Sequence, residues 1–505
     1  MNKQQIRTQT HGDSESFFTA SSSQSPIQEF LLELQRLDIR VWLDNVNDTP
    51  KLRCNAPKGV LTSALRERLQ VRKAEIIEFL QNAGGKKVEI DWGQEAILHP
   101  AIVPPLSSPL QRRETDSTPL SFTKGGLGRG SDTAQNHLLL TGATGFIGAF
   151  LLDELLRQTN ASIYCLVKAE TIEAAQEKIK AALQSYKLWD ASLAERIVPV
   201  LGDLTQPSLG FSRSQFQDLA RQIDVIYHNG ARVNHTEPYT RLKGANVLGT
   251  QEILRLASCT KLKPVHFIST ISVFAANSNT KKLRVEEQDS LDDYVMPVSG
   301  YAQSKWVAEK LVMEASKRGI PINIYCLGAI SGHSQTGVFN HNDFLYKSLL
   351  GYVQMGSIPD GTMPLEILPV DYVSRAIVEL SSLPSFGQAF HLIQSQPVSS
   401  HIICEQLQNM GYSLNKVSYE QWQNQLLEIA SNSLEHILYP LVSLFHRNQT
   451  NNINTNIVKL QFSDRNTQQA LNGVISPPTI DRNLIGIYLD YLIKAGWMEA
   501  PTMVG

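Results

Sequence analysis

The stretch LLLTGATGFIG, residues 138–148, decides the fold. An apolar run typical of a buried strand leads directly into a turn with three glycines spaced three residues apart, and a helical pattern of apolar residues comes next. Such glycines let a backbone bend sharply and approach a pyrophosphate, and the next helix offers free N–H groups. Ordinary turns also use glycine, so the cluster alone is weak evidence. It predicts dinucleotide contacts from Gly142, Thr144, Gly145, Phe146, Ile147 and Gly148.

Beyond this turn, short apolar runs alternate with helical stretches to about residue 400, the pattern of a parallel sheet covered by helices. The predicted class is α/β, a Rossmann-type doubly wound parallel sheet. Further nucleotide contacts are predicted where the strands end, at Asp203, Leu204, Asn229, Gly230 and Ala231. The second strand ends in Lys168, where an acidic residue would select NADH, and this favours NADPH. The alternative is that Lys168 is a solvated lysine without a ligand.

Tyr301 and Lys305 stand four residues apart in a helix-forming segment, so they share one helix face. A neighbouring ammonium is expected to lower the pKa of the phenol from about 10 and to make Tyr301 a usable general acid. Thr270 ends an upstream strand and offers a hydroxyl to the same substrate oxygen. A Tyr-Lys pair alone is common on helix surfaces, but its order with the glycine turn and the Ser-Thr strand favours a catalytic set.

Composition and charge exclude several classes of function. The chain has 505 residues with 46 Lys and Arg against 48 Asp and Glu, which predicts neither nucleic-acid nor membrane binding. Its five cysteines form no C-x-x-C pair, so no metal site is expected. The N-terminal residues lack the apolar run of a signal peptide. A cytoplasmic protein is the prediction.

Composition also shifts along the chain and predicts four segments. Residues 1–27 are rich in Ser, Thr and Gln and are expected to be disordered. Residues 28–82 predict a small α+β domain, and 83–134 a linker with an apolar island at Val88–Ile102 that packs on the next domain. Residues 135–505 form the main domain. Its nucleotide-binding core spans about 135–400, and a mostly helical substrate region spans about 340–360 and 400–505.

These motifs together resemble the thioester reductase, or terminal reductase, domains of nonribosomal peptide synthetases, polyketide synthases and carboxylic acid reductases. The resemblance runs from VEIDW at 88–92 through LLLTGATGFIG, VLGDLTQPSLG, SGYAQSKWVAE and ILPVDYVSRAIVEL to YLDYLIKAGWMEAP. It implies the catalytic triad Thr270, Tyr301 and Lys305. Tyr301 and Lys305 would also contact the cofactor, Lys305 at the nicotinamide ribose, with Asn246 near the site and Gly328 and Ile330 bordering the nicotinamide. It places Lys168 and Lys178 where the family usually has arginines for the 2′-phosphate of NADPH.

The chain departs from that family in one loop. Where the family usually reads Arg-Pro-Gly, this sequence has Cys326-Leu327-Gly328. A rigid turn or an ionic contact is then lost. Lysine in place of arginine at 168 and 178 keeps the positive charge, but it cannot bind a phosphate through two parallel N–H groups as a guanidinium does.

The segment between residues 31 and 80 resembles TubC-type N-terminal docking domains through Leu52-Arg53 and Ala56-Pro57-Lys58-Gly59. This resemblance implies that a strand pair captures the C-terminal tail of an upstream synthetase. Such tails are typically acidic, and Arg40, Lys51, Arg53 and Lys58 supply positive charge; solvated charges on a small domain are the alternative.

The functional hypothesis is NADPH-dependent reduction of an acyl or peptidyl chain held as a phosphopantetheine thioester on a carrier protein supplied in trans. An aldehyde is released, and a second hydride could give the alcohol. Two rivals stay open. One is a sugar-nucleotide epimerase or dehydratase, which shares the glycine turn and the Tyr-Lys pair but does not explain the docking unit. The other is a catalytically idle docking adaptor.

Overall fold

A computed structural model describes the ranges 40–46, 49–55, 62–77, 90–105, 136–234, 237–340, 343–360, 364–432 and 459–501, together with Phe30 and Leu34. The chain forms two compact units, Met1–Ile90 and Asp91–Gly505. The predicted disordered segment 1–27 and the motif at 56–59 lie outside the described residues.

The first unit contains an antiparallel strand pair and a helix. Strand β1 (Arg40–Val46) pairs with β2 (Thr49–Asn55). Helix α1 (Ser63–Val71) begins where the Thr62 side chain accepts a hydrogen bond from the N–H of Leu65 at 3.3 Å, a cap that satisfies one free donor of the first turn. This is the small α+β unit that the sequence predicts.

The second unit is built on a parallel sheet with flanking helices. Its strands are β3 (His137–Thr141), β4 (Ser162–Val167), β5 (Ile197–Leu201), β6 (Val225–His228), β7 (Val265–Thr270), β8 (Arg284–Val285), β9 (Ile322–Leu327), β10 (Ala329–Ser331), β11 (Ser357–Pro359), β12 (Pro364–Leu365), β13 (Ile367–Pro369), β14 (Ala389–Leu392), β15 (Val398–Ser399), β16 (Asn415–Val417) and β17 (Gln461–Phe462). Its helices are α2 (Trp92–Glu95), α3 (Phe146–Gln158), α4 (Ile172–Ser185), α5 (Arg213–Gln222), α6 (Tyr239–Lys243), α7 (Gly249–Ser258), α8 (Gly300–Lys317), α9 (Phe344–Met355), α10 (Val370–Ser381), α11 (His401–Asn409), α12 (Tyr419–Asn432), α13 (Arg465–Leu471) and α14 (Arg482–Lys494).

In the described part of the second unit, seven parallel strands form one sheet in the order β14-β9-β7-β6-β3-β4-β5. The chain runs outward from β3 through β4 and β5, then returns to the other side of β3 with β6. Strand order therefore reverses between β3 and β6, which is where ligands bind in open α/β sheets. The predicted Rossmann-type doubly wound sheet is confirmed.

The main core lies between the sheet and its helices. Leu138 and Leu140 on the central strand β3 are fully buried, as expected for a parallel strand covered on both faces. Ala149 and Leu152 on α3 and Val373 on α10 belong to the same apolar cluster. This packing fixes the start of α3 directly after the glycine turn.

Residues 91–105, within the stretch predicted as linker, pack on the second unit. The Trp92 ring meets the Tyr239 ring edge to face, with centroids 4.9 Å apart. Glu95 accepts hydrogen bonds from the Tyr239 hydroxyl at 2.5 Å and the Lys243 ammonium at 2.8 Å. Leu98 and Ile102 are also buried, so the described part of the apolar island packs on the neighbouring elements.

A second, smaller core holds the described C-terminal helices together. Tyr346 from α9, Leu407 from α11 and Tyr488 and Leu489 from α14 belong to it. The region is mostly helical as predicted, although the short strands β11 and β16 pair there, as do β12 and β15. None of the helices in the described ranges combines the length and the apolar character needed to cross a membrane.

Candidate active site

The glycine turn after β3 is packed too closely to accept a side chain at Gly142 or Gly148. Gly142 has φ of +75°, and a Cβ placed there would lie 2.7 Å from the Cα of Gly230. A Cβ on Gly148 would lie only 1.9 Å from the carbonyl oxygen of Gly142. The turn is closed by the Gly145 N–H, which donates to Gly142 O at 3.0 Å. Helix α3 begins at Phe146, so its first N–H groups lie at this turn and fit a pyrophosphate.

The predicted residues of the turn lie together at the end of β3. Thr144 and Gly145 are exposed at its tip, whereas Gly148 is buried. Phe146 packs edge to face against Phe150 and Tyr186, with ring centroids 5.4 and 5.3 Å away, while Ile147 packs against the main core.

The end of β6 forms the opposite wall of the turn. The Asn229 side chain donates to Gly142 O at 3.3 Å, and the Gly230 N–H donates to the Thr141 hydroxyl at 2.8 Å. Leu204 closes this wall, because its side chain lies 2.8 Å from where a Cβ on Gly230 would be. Ala231 follows directly, so the structure brings these predicted residues together.

Lys168, Lys178 and Asp203 meet beside the end of β4. The Lys168 ammonium forms an ion pair with Asp203 at 2.8 Å, and the Lys178 ammonium donates to Lys168 O at 2.8 Å. Burial opposes ionisation of Asp203, but hydrogen bonds from Lys168 and Thr205 outweigh it and lower its pKa. Two lysines and one carboxylate leave net positive charge at the position predicted for a 2′-phosphate.

Thr270, Tyr301 and Lys305 lie where α8 packs on the end of β7. Thr270 is the last residue of β7, and its hydroxyl accepts a hydrogen bond from the Ser272 N–H at 3.2 Å. Tyr301 lies in the first turn of α8, after the capping residue Ser299. The Lys305 ammonium donates to Ile268 O at 2.8 Å, which holds the helix against β7.

We call Thr270, Tyr301 and Lys305, with the strand and helix ends that carry them, the catalytic corner. The pKa of Tyr301 in this corner differs from the sequence expectation. Burial raises the pKa of Tyr301 to about 12, so the expected lowering by Lys305 is wrong for this geometry. The reason is that Lys305 is itself buried and is directed to Ile268 O and to the face of Phe267, 4.1 Å from the ring centre. A phenol with such a pKa is protonated at neutral pH and can donate a hydrogen bond, but it is a weaker acid than a free tyrosine.

Asn246 is buried where α6 continues through a π-helical turn into α7. Its side-chain oxygen accepts from the Arg232 N–H at 2.7 Å, and its amide donates to Arg232 O at 3.1 Å and to the Ser304 hydroxyl at 2.9 Å. Ser304 in turn donates to Tyr301 O at 2.7 Å. Asn246 therefore ties the loop after β6 to the catalytic helix.

A hydrogen-bond chain that sequence reasoning missed joins the two halves of the site. Thr250 donates to Asn246 O at 2.7 Å, so it must accept from His228 Nε2, 3.0 Å away. His228 Nδ1 is then the acceptor for Thr141, at 2.8 Å. Burial, reinforced by the charge of Lys305, lowers the pKa of His228 to about 3. The neutral ring thus links the glycine turn to Asn246.

Gly328 and Ile330, which the resemblance implies border the nicotinamide, lie beyond the end of β9. The Gly328 N–H donates to Leu392 O at 2.9 Å, and Ile330 pairs with Leu368 between β10 and β13. Both residues line a cavity of about 1190 Å³ that starts beside Ile271, next to Thr270. The cavity continues to α11, β16 and the start of α12, and apolar side chains provide most of its surface. Thr270, Tyr301 and Lys305 are not among its lining residues; the cavity comes next to them at Ile271 and extends toward the C-terminal helices.

A buried carboxyl behind the catalytic lysine was also missed. Glu309 lies one turn after Lys305 on α8 and is 4% exposed. The Ser269 hydroxyl donates to its Oε2, and the Cys326 thiol lies 3.9 Å from the same atom. The spacing Tyr301, Lys305, Glu309 at successive fourth positions was the available sequence signal. It predicts one shared helix face but not burial.

Two family models match the chain. That of the male sterility protein family, an NAD-binding family, matches residues 140–377, and that of the TubC N-terminal docking domain matches 27–82. The crystal structure of the terminal R domain from the myxalamid PKS-NRPS biosynthetic pathway is 41% identical, with a TM-score of 0.70 over 81% of this chain and 99% of that chain. The chain belongs to the terminal reductase domains.

Curated relatives of this terminal reductase domain are much longer proteins. A linear gramicidin synthase polypeptide of Brevibacillus parabrevis is 41% identical over 364 residues, which make up 72% of this chain and 7% of that protein. Glycine betaine reductase ATRR of Emericella nidulans is 33% identical over 383 residues, 74% of this chain and 30% of that protein. The chain thus spans less than a third of either relative. Family and fold agree on a nicotinamide dinucleotide cofactor, whose pyrophosphate the glycine turn fits.

Proposed function

We propose that this protein releases an acyl or peptidyl chain from a carrier-protein phosphopantetheine thioester by NADPH-dependent reduction to an aldehyde. One observation carries the proposal: a large, mostly apolar cavity begins beside Ile271 and Ile330, at the strand ends that carry Thr270 and the loop after β9. Membership of the terminal reductase domains supports it, as do reductases among the relatives.

The residues of the corner divide the chemistry between them. When bound, NADPH supplies a hydride to the thioester carbonyl carbon. Tyr301 donates its phenolic proton to the carbonyl oxygen as the C=O electron pair moves there, and Thr270 donates a hydrogen bond to the same oxygen. The hemithioacetal then loses its hydroxyl proton, the C–S bond breaks, and the carrier thiolate leaves with the electron pair and is protonated. The balance is one thioester, one NADPH and one proton giving an aldehyde, a free thiol and NADP⁺.

Lys305 serves two purposes in this scheme. Its ammonium is held by Ile268 O one helical turn after Tyr301 on α8. In this geometry burial, and not Lys305, sets the pKa of the phenol, so we assign Lys305 the role of stabilising the phenolate only in the complex with NADPH and substrate. We also assign it the nicotinamide ribose, as the family resemblance implies. Asn246 keeps α8 in register with the loop after β6 through Ser304.

The cavity suits a long chain with an apolar portion near the thioester. Ile271, Ile330 and Ile367 line it near the strand ends. The lining also includes charged residues, among them Lys459 and Glu366, which form an exposed ion pair at 2.7 Å. We expect polar parts of a peptidyl chain to bind near these charged residues and its apolar part near the isoleucines.

We assign the cofactor preference to NADPH because Lys168 and Lys178 lie together beside β4. Asp203 neutralises part of this charge, so the preference rests on two lysines against one carboxylate. Replacing Lys168 with alanine should raise the KM for NADPH about five- to tenfold and leave the KM for NADH unchanged, because one charge-assisted contact to the 2′-phosphate is lost. Equal changes for both cofactors would contradict the assignment.

The carrier protein and an upstream synthetase are the proposed partners. Strands β1 and β2 form an antiparallel pair, to which an extended tail could add as a further strand. Four basic residues of this segment, Arg40, Lys51, Arg53 and Lys58, favour an acidic tail. We place the reaction in the cytoplasm, since all five cysteines are free thiols.

The test of function mixes the purified protein with NADPH and three substrates in separate reactions: an acyl-loaded carrier, the unloaded carrier and a sugar nucleotide. Loss of reduced-nicotinamide absorbance with the acyl-loaded carrier alone is expected. Turnover of the sugar nucleotide would support the epimerase class instead. Neither NADPH oxidation nor conversion of the sugar nucleotide, in a protein that binds NADPH, would support an idle adaptor.

A further inference from the structure

Glu309, which lies one turn after the catalytic Lys305 on α8, has no role in the reaction proposed above. Glu309 is nine-tenths or more buried between α8 and the sheet, at 4% exposure. A buried carboxylate is costly unless hydrogen bonds or a counter-charge compensate it. Its partners are the Ser269 hydroxyl, which donates to Oε2, and the Cys326 thiol at 3.9 Å. Neither partner carries a positive charge.

The nearest counter-charge is one helical turn away. Lys305 and Glu309 are four residues apart on α8, so both side chains lie on the face that packs against the sheet. The Lys305 ammonium reaches Ile268 O on β7, and Glu309 is held by the next residue of that strand, Ser269. Consecutive residues of one strand thus anchor the ammonium and the carboxyl.

We infer that Glu309 is a positioning residue whose carboxylate, held behind Lys305 by Ser269, keeps the Lys305 ammonium charged in its buried site. The inference rests on the proposed function only in that Lys305 supports the proton donor Tyr301. It gives the reductase a pH dependence that Tyr301 alone would not produce.

The groups around Lys305 fit this assignment. On α8, Tyr301 stands one turn before it and Glu309 one turn after it, and on β7 it contacts the ring of Phe267 and the carbonyl of Ile268. On β6, His228 is neutral.

The groups farther along this face add no second counter-charge. Cys326 on β9 is a thiol whose pKa burial raises well above its usual value. Glu287, which also influences Cys326, is bound by the N–H of His391 and by Thr467. Of the charged groups in the described ranges that act on Lys305, Glu309 is thus the negative one with the strongest effect.

The titration behaviour agrees in direction. Burial lowers the pKa of Lys305 to about 8, and the Glu309 carboxylate opposes that shift. Burial raises the pKa of Glu309 to about 7, while Ser269 and Lys305 oppose this. Removing the negative charge therefore lowers the pKa of Lys305 further, and neutral lysine appears at lower pH.

The experiment compares the full chain with Glu309→Gln, Glu309→Asp and, as a matched control on the same helix, Glu314→Gln. The first readout is the pH titration of the Lys305 side chain, followed by NMR of ε-¹³C-lysine and assigned through Lys305→Met. We expect the Lys305 pKa to fall by about one unit in Glu309→Gln, to recover in Glu309→Asp and to stay unchanged in the control. An unchanged Lys305 pKa in Glu309→Gln would overturn the inference, whether or not the protein reduces thioesters.

The second readout is kcat/KM for an acyl-loaded carrier against pH. Glu309→Gln should be about tenfold slower than wild type at pH 8.5 and within about twofold at pH 6.5, where Glu309 is already protonated. Superimposable profiles would overturn the inference while leaving the reductase assignment intact. If Glu309→Gln does not fold, Ser269→Ala replaces it. Loss of this donor should move the Lys305 pKa in the same direction by a smaller amount, and no shift there would also count against the inference.

Discussion

The glycine turn and the catalytic corner achieve their geometry in opposite ways. The turn is made by the backbone of one short stretch, residues 138–148, and its shape follows from the absence of Cβ atoms at Gly142 and Gly148. The corner is made by buried side chains from β6, β7, α8 and β9, whose charges depend on partners far apart in sequence. Binding geometry can thus be encoded locally, whereas proton chemistry depends on the packed surroundings.

The largest predicted effect separates the corner from the turn. Tyr301→Phe removes the proton donor, so kcat should fall about 10²- to 10⁴-fold while the Kd for NADPH changes less than about twofold. Steady-state rates and a fluorescence titration of NADPH measure the two quantities. Tyr164→Phe, on β4, is the control and should keep its rate. A matching loss of NADPH affinity in Tyr301→Phe would mean that the two regions are not separable.

The converse change targets the turn. Gly148→Ala places a methyl group where the nearest atom is Gly142 O at 1.9 Å, so the turn must shift. Such overpacking should lower the free energy of unfolding by about 1–3 kcal/mol and abolish NADPH binding. Chemical denaturation and NADPH titration test this. In the control Gly244→Ala the new Cβ would be 3.9 Å from Thr205 and should be tolerated. Normal NADPH binding by Gly148→Ala would contradict the assignment of the glycine turn to pyrophosphate binding.

Two buried histidines beneath the corner predict acid sensitivity. Burial lowers the pKa of His266 to about 3, and burial together with Lys305 does the same for His228. Below about pH 6.5 these histidines take up protons in the unfolded chain but stay neutral in the folded protein. Their contribution to the free energy of unfolding is therefore fully present above about pH 6.5 and is lost as the pH drops toward 3. At pH 5, each neutral buried histidine should lower the free energy of unfolding by about 2 kcal/mol relative to its value at neutral pH.

Denaturation of wild type and His266→Gln between pH 7 and pH 5 tests this expectation. The variant should lose about 2 kcal/mol less than wild type over that range. Identical pH dependence of the two proteins would contradict the assignment of a neutral, buried His266.

The smallest predicted effect concerns the segment that packs on α6. Glu95→Gln removes the charge that accepts from Tyr239 and Lys243 and should lower the free energy of unfolding by about 1 kcal/mol without changing the Kd for NADPH. Thermal denaturation with NADPH titration measures both. Gln94→Ala, at an exposed neighbouring position, should change neither. If Glu95→Gln has the same free energy of unfolding as wild type, the charge of Glu95 makes no net contribution to stability through its contacts with Tyr239 and Lys243.

The same contrast explains what the sequence could predict. The doubly wound sheet, the glycine turn and the Lys168 and Asn229 positions follow from local periodicity and motif spacing. The pKa of Tyr301 was predicted in the wrong direction because spacing shows that Lys305 is near, but not that Lys305 is buried and directed to Ile268 O. Glu309 and His228 were missed because their roles depend on Ser269, Thr250 and other partners brought together by folding.

The end of β9, which the sequence predicts as a loop, shows how a departure in sequence acquires physical meaning. Cys326 stands where the resembling family usually has an arginine, and sequence alone predicts a lost ionic contact. In the structure its thiol faces Glu309, so this carboxyl is left to act on Lys305. A substitution in one strand therefore changes the charge balance of a neighbouring helix.

The measurement that tests the central claim most directly follows one atom. The protein is incubated with an acyl-loaded carrier and with NADPH that carries deuterium in place of the transferred hydride. The masses of the released product and of the carrier are then determined by mass spectrometry. Reductive release predicts an aldehyde that contains one deuterium and a carrier that has regained its free thiol. A carboxylic acid without deuterium, or a carrier that keeps its acyl group while NADPH is bound, would contradict it.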